Sequence, residues 1–288
     1  MSDTPLETNA SADAARPYPL PNASDDSKEM DRLDAMHNAF TEYFGGRLCE
    51  YPLESERPGK ILELGCGSGA WAIQAATQIP DAQVVAVDVA PLPARPLPPN
   101  LVFQLADLTK PLPFEHGTFD IVHARWVMCH VTDAPDVLSR VSQLVKPGGL
   151  LLIEDGDMRS FAQSGGPATS ACVSKILELW VQRGADFEVA RKFKTILDST
   201  GLFSEIDLKP VDCPFNFKSD AYDPRIFPLG REIKETARKA TNILLTPGKG
   251  FAENGLTADV VKAHVEELED IHCETRIDLY FCVARRTQ

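Results

Sequence analysis

Three glycines alternate in Gly65-Cys66-Gly67-Ser68-Gly69, and three carboxylates are spaced around them: Glu63 just before, then Asp88 and Asp107 further along. Glycine at a strand-to-helix turn tolerates positive φ and lets a ligand approach the main chain closely. In a doubly wound sheet that turn borders the crevice where nucleotides bind. Asp88 closes the next apolar stretch, where a carboxylate can accept both hydroxyls of a ribose. Asp107 closes the stretch after that and is suited to accept from an adenine amino group. The dinucleotide fingerprint G-x-G-x-x-G wants its third glycine at position 70, where this chain has Ala70. Ala70 and Asp107 therefore disfavour a nicotinamide-dinucleotide enzyme.

Short apolar runs must carry these groups. Lys60–Leu64 leads into the glycines, and a helix is expected from Ala70 to about Gln78, closed by Pro80. Gln83–Val87, Leu101–Leu105, Phe119–Ala124 and Leu150–Glu154 read as further strands. A helix over Pro135–Lys146 is stopped by Pro147-Gly148-Gly149. Strands alternating with helices predict a parallel sheet covered on both faces. An earlier helix, about Lys28–Phe44, repeats Met30, Leu33, Met36, His37, Phe40 and Phe44 at helical steps and ends at Gly45-Gly46. The second half predicts helices over Ser170–Arg183, Phe187–Ser199, Arg231–Leu245 and Thr257–Asp270, with strands over Ile206–Pro210 and Ile277–Ala284.

The combination resembles the class I S-adenosylmethionine (SAM)-dependent methyltransferases. Glu63-x-Gly65-x-Gly67-x-Gly69 is similar to their first motif, Asp88 to the second and Asp107 to the third. Leu144-Val145-Lys146-Pro147-Gly148-Gly149 is similar to the stretch before their fifth strand. The chain further resembles the fungal LaeA-like group through Asp31-Arg32-Leu33-Asp34, Pro99-Asn100-Leu101, Val122-His123-Ala124-Arg125, Gly184-Ala185-Asp186-Phe187 and Gly201-Leu202-Phe203. The resemblance implies an α/β, Rossmann-like, doubly wound, mostly parallel seven-stranded sheet with a helical cap insertion. One domain over residues 29–288 is expected, with its core over 58–212 and 272–288 and a lid over about 213–271. Residues 1–28, rich in Ser, Asp, Ala, Pro and Asn, predict a disordered arm.

SAM is the implied cofactor: a sulfonium, an amino acid, a ribose and an adenine, without phosphate. An acidic site suits it. The resemblance assigns Glu63, Gly65, Cys66, Gly67 and Gly69 to the loop beside it, Asp88 to the ribose, Asp107 and Leu108 to the adenine, Val89 to the cofactor site as well, and His123, Ala124 and Arg125 to the crevice mouth. Arg32, His37 and Tyr43 on the early helix are candidates to close over it. Methyl transfer is an in-line displacement that needs alignment and, for weak nucleophiles, proton removal. His130 is the first candidate base, and Asp155 or Asp157, after Glu154, is a candidate holder of an amine or hydroxyl. Phe215, Phe217, Tyr222, Phe227 and Leu229 in the insertion would offer an aromatic wall to an apolar acceptor.

Composition narrows the class. Lys and Arg number 29 against 42 Asp and Glu in 288 residues, a net charge of −13, which weighs against a nucleic-acid surface. No Asn-Pro-Pro-Tyr-type motif follows the fourth strand, which also disfavours base methylation. The 7 cysteines form no Cys-x-x-Cys pair, so free buried thiols in a reduced interior are expected, with no metal site. No apolar stretch is long enough for a membrane span and no signal peptide is visible, so a cytoplasmic protein is expected, or a nuclear one if it is a regulator. The resemblance implies a methyltransferase for a small organic acceptor in fungal secondary metabolism, with O-methylation expected from its frequency in the class. The alternatives are N-methylation or protein methylation, and a LaeA-like regulator acting through protein partners.

Overall fold

The computed structural model describes residues 27–216, 220–245 and 250–288. The arm expected over 1–28 lies outside them, except for its last two residues, which open helix α1 (Ser27–Tyr43). Strand β1 (Lys60–Leu64) runs into the glycine loop and α2 (Ala70–Gln78), followed by β2 (Gln83–Asp88) and β3 (Leu101–Leu105). Next come β4 (Phe119–Arg125), α3 (Ala134–Ser142) and β5 (Val145–Asp157). The second half holds α4 (Met158–Ser164), α5 (Pro167–Val181), α6 (Phe193–Thr200), β6 (Phe203–Pro214), α7 (Ile226–Leu244), α8 (Ala258–Glu269) and β7 (Arg276–Arg286).

The seven strands form one sheet in the order β3-β2-β1-β4-β5-β7-β6. β3, β2, β1, β4 and β5 pair in parallel, and β7 is antiparallel to both β5 and β6. The order reverses between β1 and β4, which sets a crevice at their C-terminal ends. β1 is buried on both faces, as a central parallel strand should be. Leu62 and Leu64 pack on one side with Val122, Leu151, α3 and α6. Ile61 packs on the other with Val84, Ile121 and the α2 residues Trp71, Ala72 and Ala75.

A third apolar cluster joins α1 (Met36, Phe40), α4 (Phe161), α7 (Leu229, Ile233) and β7 (Leu279, Phe281). The α7–α8 segment between β6 and β7 thus helps to seat α1 on the sheet.

Some element ends differ from expectation. Pro147-Gly148-Gly149 is taken into β5, which begins at Val145, and α3 ends at Ser142. The helix expected over Phe187–Ser199 divides into a short 3₁₀ turn (Val189–Lys192) and α6. Among the described residues no helix is long and apolar enough to cross a membrane.

Candidate functional site

A cavity of about 260 Å³ lies over the C-terminal ends of β1, β2 and β4. Its floor is the glycine loop. Gly65 and Gly67 both take left-handed φ, +61° and +55°. A Cβ at Gly65 would lie 2.6 Å from Val127 Cγ2, so that position needs glycine for room as well as for conformation; one at Gly67 would lie 3.1 Å from the end of the Leu33 side chain, so there the positive φ is the main requirement. Cys66 lines the floor beside them. Gly69 also has positive φ, but it caps α2 and does not line the cavity.

Asp88 ties β2 to this loop. Its Oδ2 accepts from the Gly67 N–H at 2.8 Å and its Oδ1 from the Ala90 N–H at 2.9 Å. Burial raises its pKa above the usual carboxylate value, and the backbone donors oppose that shift. A carboxylate offers about four lone-pair positions, so acceptor capacity remains for a ligand diol. Asp107 is exposed at the rim and accepts from the Thr109 N–H and hydroxyl at 2.9 and 2.7 Å, which fixes its carboxylate in a tight turn. Val89, 59% exposed, and Leu108 are the apolar residues beside these acids. They would flank a flat heterocycle.

Glu63 is buried in the wall, and its Oε2 has no hydrogen-bond partner among the described residues. Burial pushes its carboxyl well above the usual range, with Asp88 adding to the shift and Arg125 and the Ala72 N–H opposing it. Arg125 lines the cavity, but its guanidinium is engaged. It pairs with Glu154, donates to the Leu48 carbonyl at 2.7 Å and stacks 4.5 Å over Phe40. The guanidinium is thus taken up by protein partners, and a wall that carries the carboxyls of Glu63, Asp88 and Asp107 suits a cationic ligand without phosphate.

Two groups expected at the crevice mouth are elsewhere. His123 is fully buried beneath the sheet end. Its ring stacks on Trp71 at 3.7 Å, and it stands 3.6 Å from Glu154. Ala124 is buried in the core on the opposite face. Alternation along β4 explains this: only Arg125, at the strand end, clears the sheet.

His130 does line the cavity, at the end of a 3₁₀ turn over Met128–His130. Its ring lies edge-on to Phe187 at 5.2 Å and near Trp180 at 5.9 Å. Burial, reinforced by the Arg32 charge, lowers its pKa to about 4, so the imidazole is neutral near pH 7. Asp157 is not at the cavity. It is fully buried, caps α4 by accepting from the Arg159 N–H at 2.9 Å, and pairs with Arg191. Asp155 is also buried away from the lining. It accepts from the Cys129 and Gly156 N–H groups at 3.2 and 3.0 Å, and burial pushes it up to about 6.

Helix α1 forms the roof, through Glu29, Leu33, Met36 and His37. Arg32 pairs with Glu29 at 2.6 Å, and Tyr43 packs instead against Phe44 and Phe281. No described residue of 213–271 lines the cavity. Phe215, Tyr222, Phe227 and Leu229 pack in the cluster that holds α1, and Phe217 lies outside the described residues. Trp126, Val127, Val131 and Thr132 are lining residues that motif reading missed. Trp126 has φ +54°, which is unusual for a bulky residue, and its indole lies over Gly156, where any Cβ would collide with the ring. Tryptophan directly after a strand-end arginine was the available signal.

The family described as "Methyltransferase domain" matches residues 37–202. "Methyltransferase str3" of Strobilurus tenacellus is 40% identical over 74% of this chain and 76% of its own length. "Methyltransferase str2" of the same organism is 35% identical over 91% of this chain and 94% of its own length. "Secondary metabolism regulator laeA" of Coprinopsis cinerea is 32% identical over 47% of this chain and 35% of its own. Among solved structures, the cyclase SpnF superposes with a TM-score of 0.50 at 15% identity, covering 93% of this chain and 99% of that one. That likeness bears on the fold alone.

Proposed function

The chain belongs to the methyltransferase domain family, and on that premise we propose that it transfers the methyl group of SAM to a hydroxyl oxygen of a small, mainly apolar organic acceptor in fungal secondary metabolism. The carrying observation is the cavity itself, an acid-lined crevice at the sheet's switch point whose arginine is already engaged by Glu154. SAM supplies an electrophilic methyl on a sulfonium when bound. Asp88 and Asp107 hold its ribose and adenine, with Val89 and Leu108 against the ring. Gly65 and Gly67 open the main chain to its remainder, and Glu63 balances its positive charge. Leu33 and Met36 exclude water from above.

Acceptor chemistry follows from what remains of the lining. Trp126, Val127, Val131 and Thr132 make an apolar wall with one hydroxyl, and His130 is the titratable group among them. A neutral imidazole can accept the proton of an acceptor hydroxyl. An amine substrate would want an ionised carboxylate there, yet Glu154, Asp155 and Asp157 are all turned into the protein and partnered. This supports oxygen over nitrogen. A roof formed by α1 also favours a small molecule over a protein side chain. The partner-based regulator reading keeps the resemblance to laeA, though str2 and str3, which each cover most of this chain, are named simply methyltransferases.

The test is incubation with methyl-labelled SAM and an extract of the source organism, followed by mass spectrometry. A labelled small-molecule ether or ester is the expected product. Label found only on an amine, or only on protein, would replace the acceptor assignment.

A further inference from the structure

Glu63 carries an unmet electrostatic requirement. It is 5% exposed in the cavity wall, and its Oε2 has no partner among the described residues. Among the described residues, the ionisable groups around it supply no uncommitted positive charge. From β2 comes Asp88, another acid, and from the glycine loop comes the Cys66 thiol, kept neutral by burial. From β4 come Arg125, paired with Glu154 of β5, and His123, whose pKa is lowered to about 4. Helix α2 contributes only the Ala72 N–H. From α1 come His37, also lowered to about 4, Glu29 paired with Arg32, and Asp34 paired with Arg95. A buried carboxylate without a counter-charge is strongly disfavoured against its protonated form.

We propose that Glu63 is a neutral carboxyl in the free protein and ionises as the cationic methyl donor binds, so that the chain distinguishes donor from demethylated product by charge. The idea rests on the methyltransferase reading above. On binding, the Glu63 O–H bond breaks, the proton passes to solvent, and the carboxylate faces a ligand of net charge +1. After transfer the sulfonium has become a neutral thioether, the methyl is on the acceptor, and the acceptor's proton is in solvent. Glu63 recovers a proton from solvent as the product leaves. Charge interactions are strong in such a poorly solvated wall, so losing the sulfonium charge weakens the ionised state and favours release.

Calorimetry of the intact protein with SAM and with S-adenosylhomocysteine, in buffers of different ionisation enthalpy, counts the protons. SAM is expected to release about one proton more than S-adenosylhomocysteine, and its affinity to rise about tenfold per pH unit where that release is complete. Both ligands carry the same amino group, so the difference isolates the sulfonium. Glu63→Gln, fixed in the neutral form, should bind SAM without excess proton release and at the low-pH affinity of the wild type. Equal proton release with both ligands overturns the proposal, as does excess release that survives in Glu63→Gln. Should that variant not fold, infrared difference spectra of the wild type decide. A protonated-carboxyl carbonyl band must disappear when SAM is added, and a band that persists overturns the proposal. No heat with either ligand would remove the cofactor reading itself, and is distinguishable from binding without proton release.

Discussion

Asp88 joins three parts of the site through one carboxylate: the end of β2, the Gly67 N–H and the Ala90 N–H. Removing it leaves two backbone donors unmet and takes away the acceptor proposed for the ribose diol. Asp88→Ala is expected to weaken SAM binding by about 10- to 100-fold, the range for charge-assisted hydrogen bonds. Calorimetry checks this, and an unchanged affinity would reject the ribose role. His130→Ala should lower methyl transfer about 100-fold while leaving S-adenosylhomocysteine affinity near wild type. Because burial lowers His130 to about 4, its imidazole stays neutral through the physiological range. The wild-type rate should therefore show no His130 titration between pH 6 and 8. A pH–rate profile bending in that window, and straightened by His130→Ala, would contradict this. Residue identities around Gly65 and Asp88 were legible because their chemistry is tied to a strand end. Asp157 and His123 were not, since sequence does not reveal that Arg191 and Trp71 already engage them.

The end of β5 acts on the cavity as a unit. Glu154 holds Arg125 by its side chain and accepts from the Trp126 N–H through its carbonyl at 2.8 Å. Asp155 accepts from the Cys129 N–H and so anchors the turn that carries His130. Gly156 leaves space for the Trp126 indole. Gly156→Ala should push that ring from its place, lower stability by about 1–3 kcal/mol as overpacking does, and reduce transfer. Adding Trp126→Leu should restore much of the lost stability, because the two sites share one contact. Thermal denaturation of the single and double variants reads the coupling, and purely additive losses would refute it. The short apolar runs made β1 to β4 legible, and the helical spacing from Met30 to Phe44 made α1 legible. What α1 covers was not, because periodicity identifies a buried face without naming what it faces. Among the described residues, the cover over the cavity that was expected of 213–271 is formed by α1. Leu229 and Ile233 of α7 support that helix rather than the cavity.

At the scale of the whole molecule, neutral histidines are built into several elements. His37 on α1, His123 on β4, His130 after it and His264 on α8 all have pKa values lowered to about 4, chiefly by burial. His264 is outside the cavity lining, fully buried where α8 meets α5, with Nδ1 3.1 Å from the Thr169 hydroxyl. Between about 4 and the ordinary value of 6.5, the folded chain binds fewer protons at such a site than the unfolded chain. Stability must then fall as pH drops through that window, by at most about 1.4 kcal/mol per pH unit for each site. Asp155, raised to about 6, acts in the opposite sense, since protonating it relieves a buried charge. The net acid profile thus mixes both signs, and a single substitution separates them. His264→Gln keeps a polar group against Thr169 and removes the titration. Urea unfolding from pH 7 to 4.5 should therefore show a shallower acid decline in the variant, with the curves converging or crossing as pH falls. Profiles that stay parallel would mean that His264 takes up its proton equally in the folded and unfolded states, and that the α5–α8 contact does not exclude it.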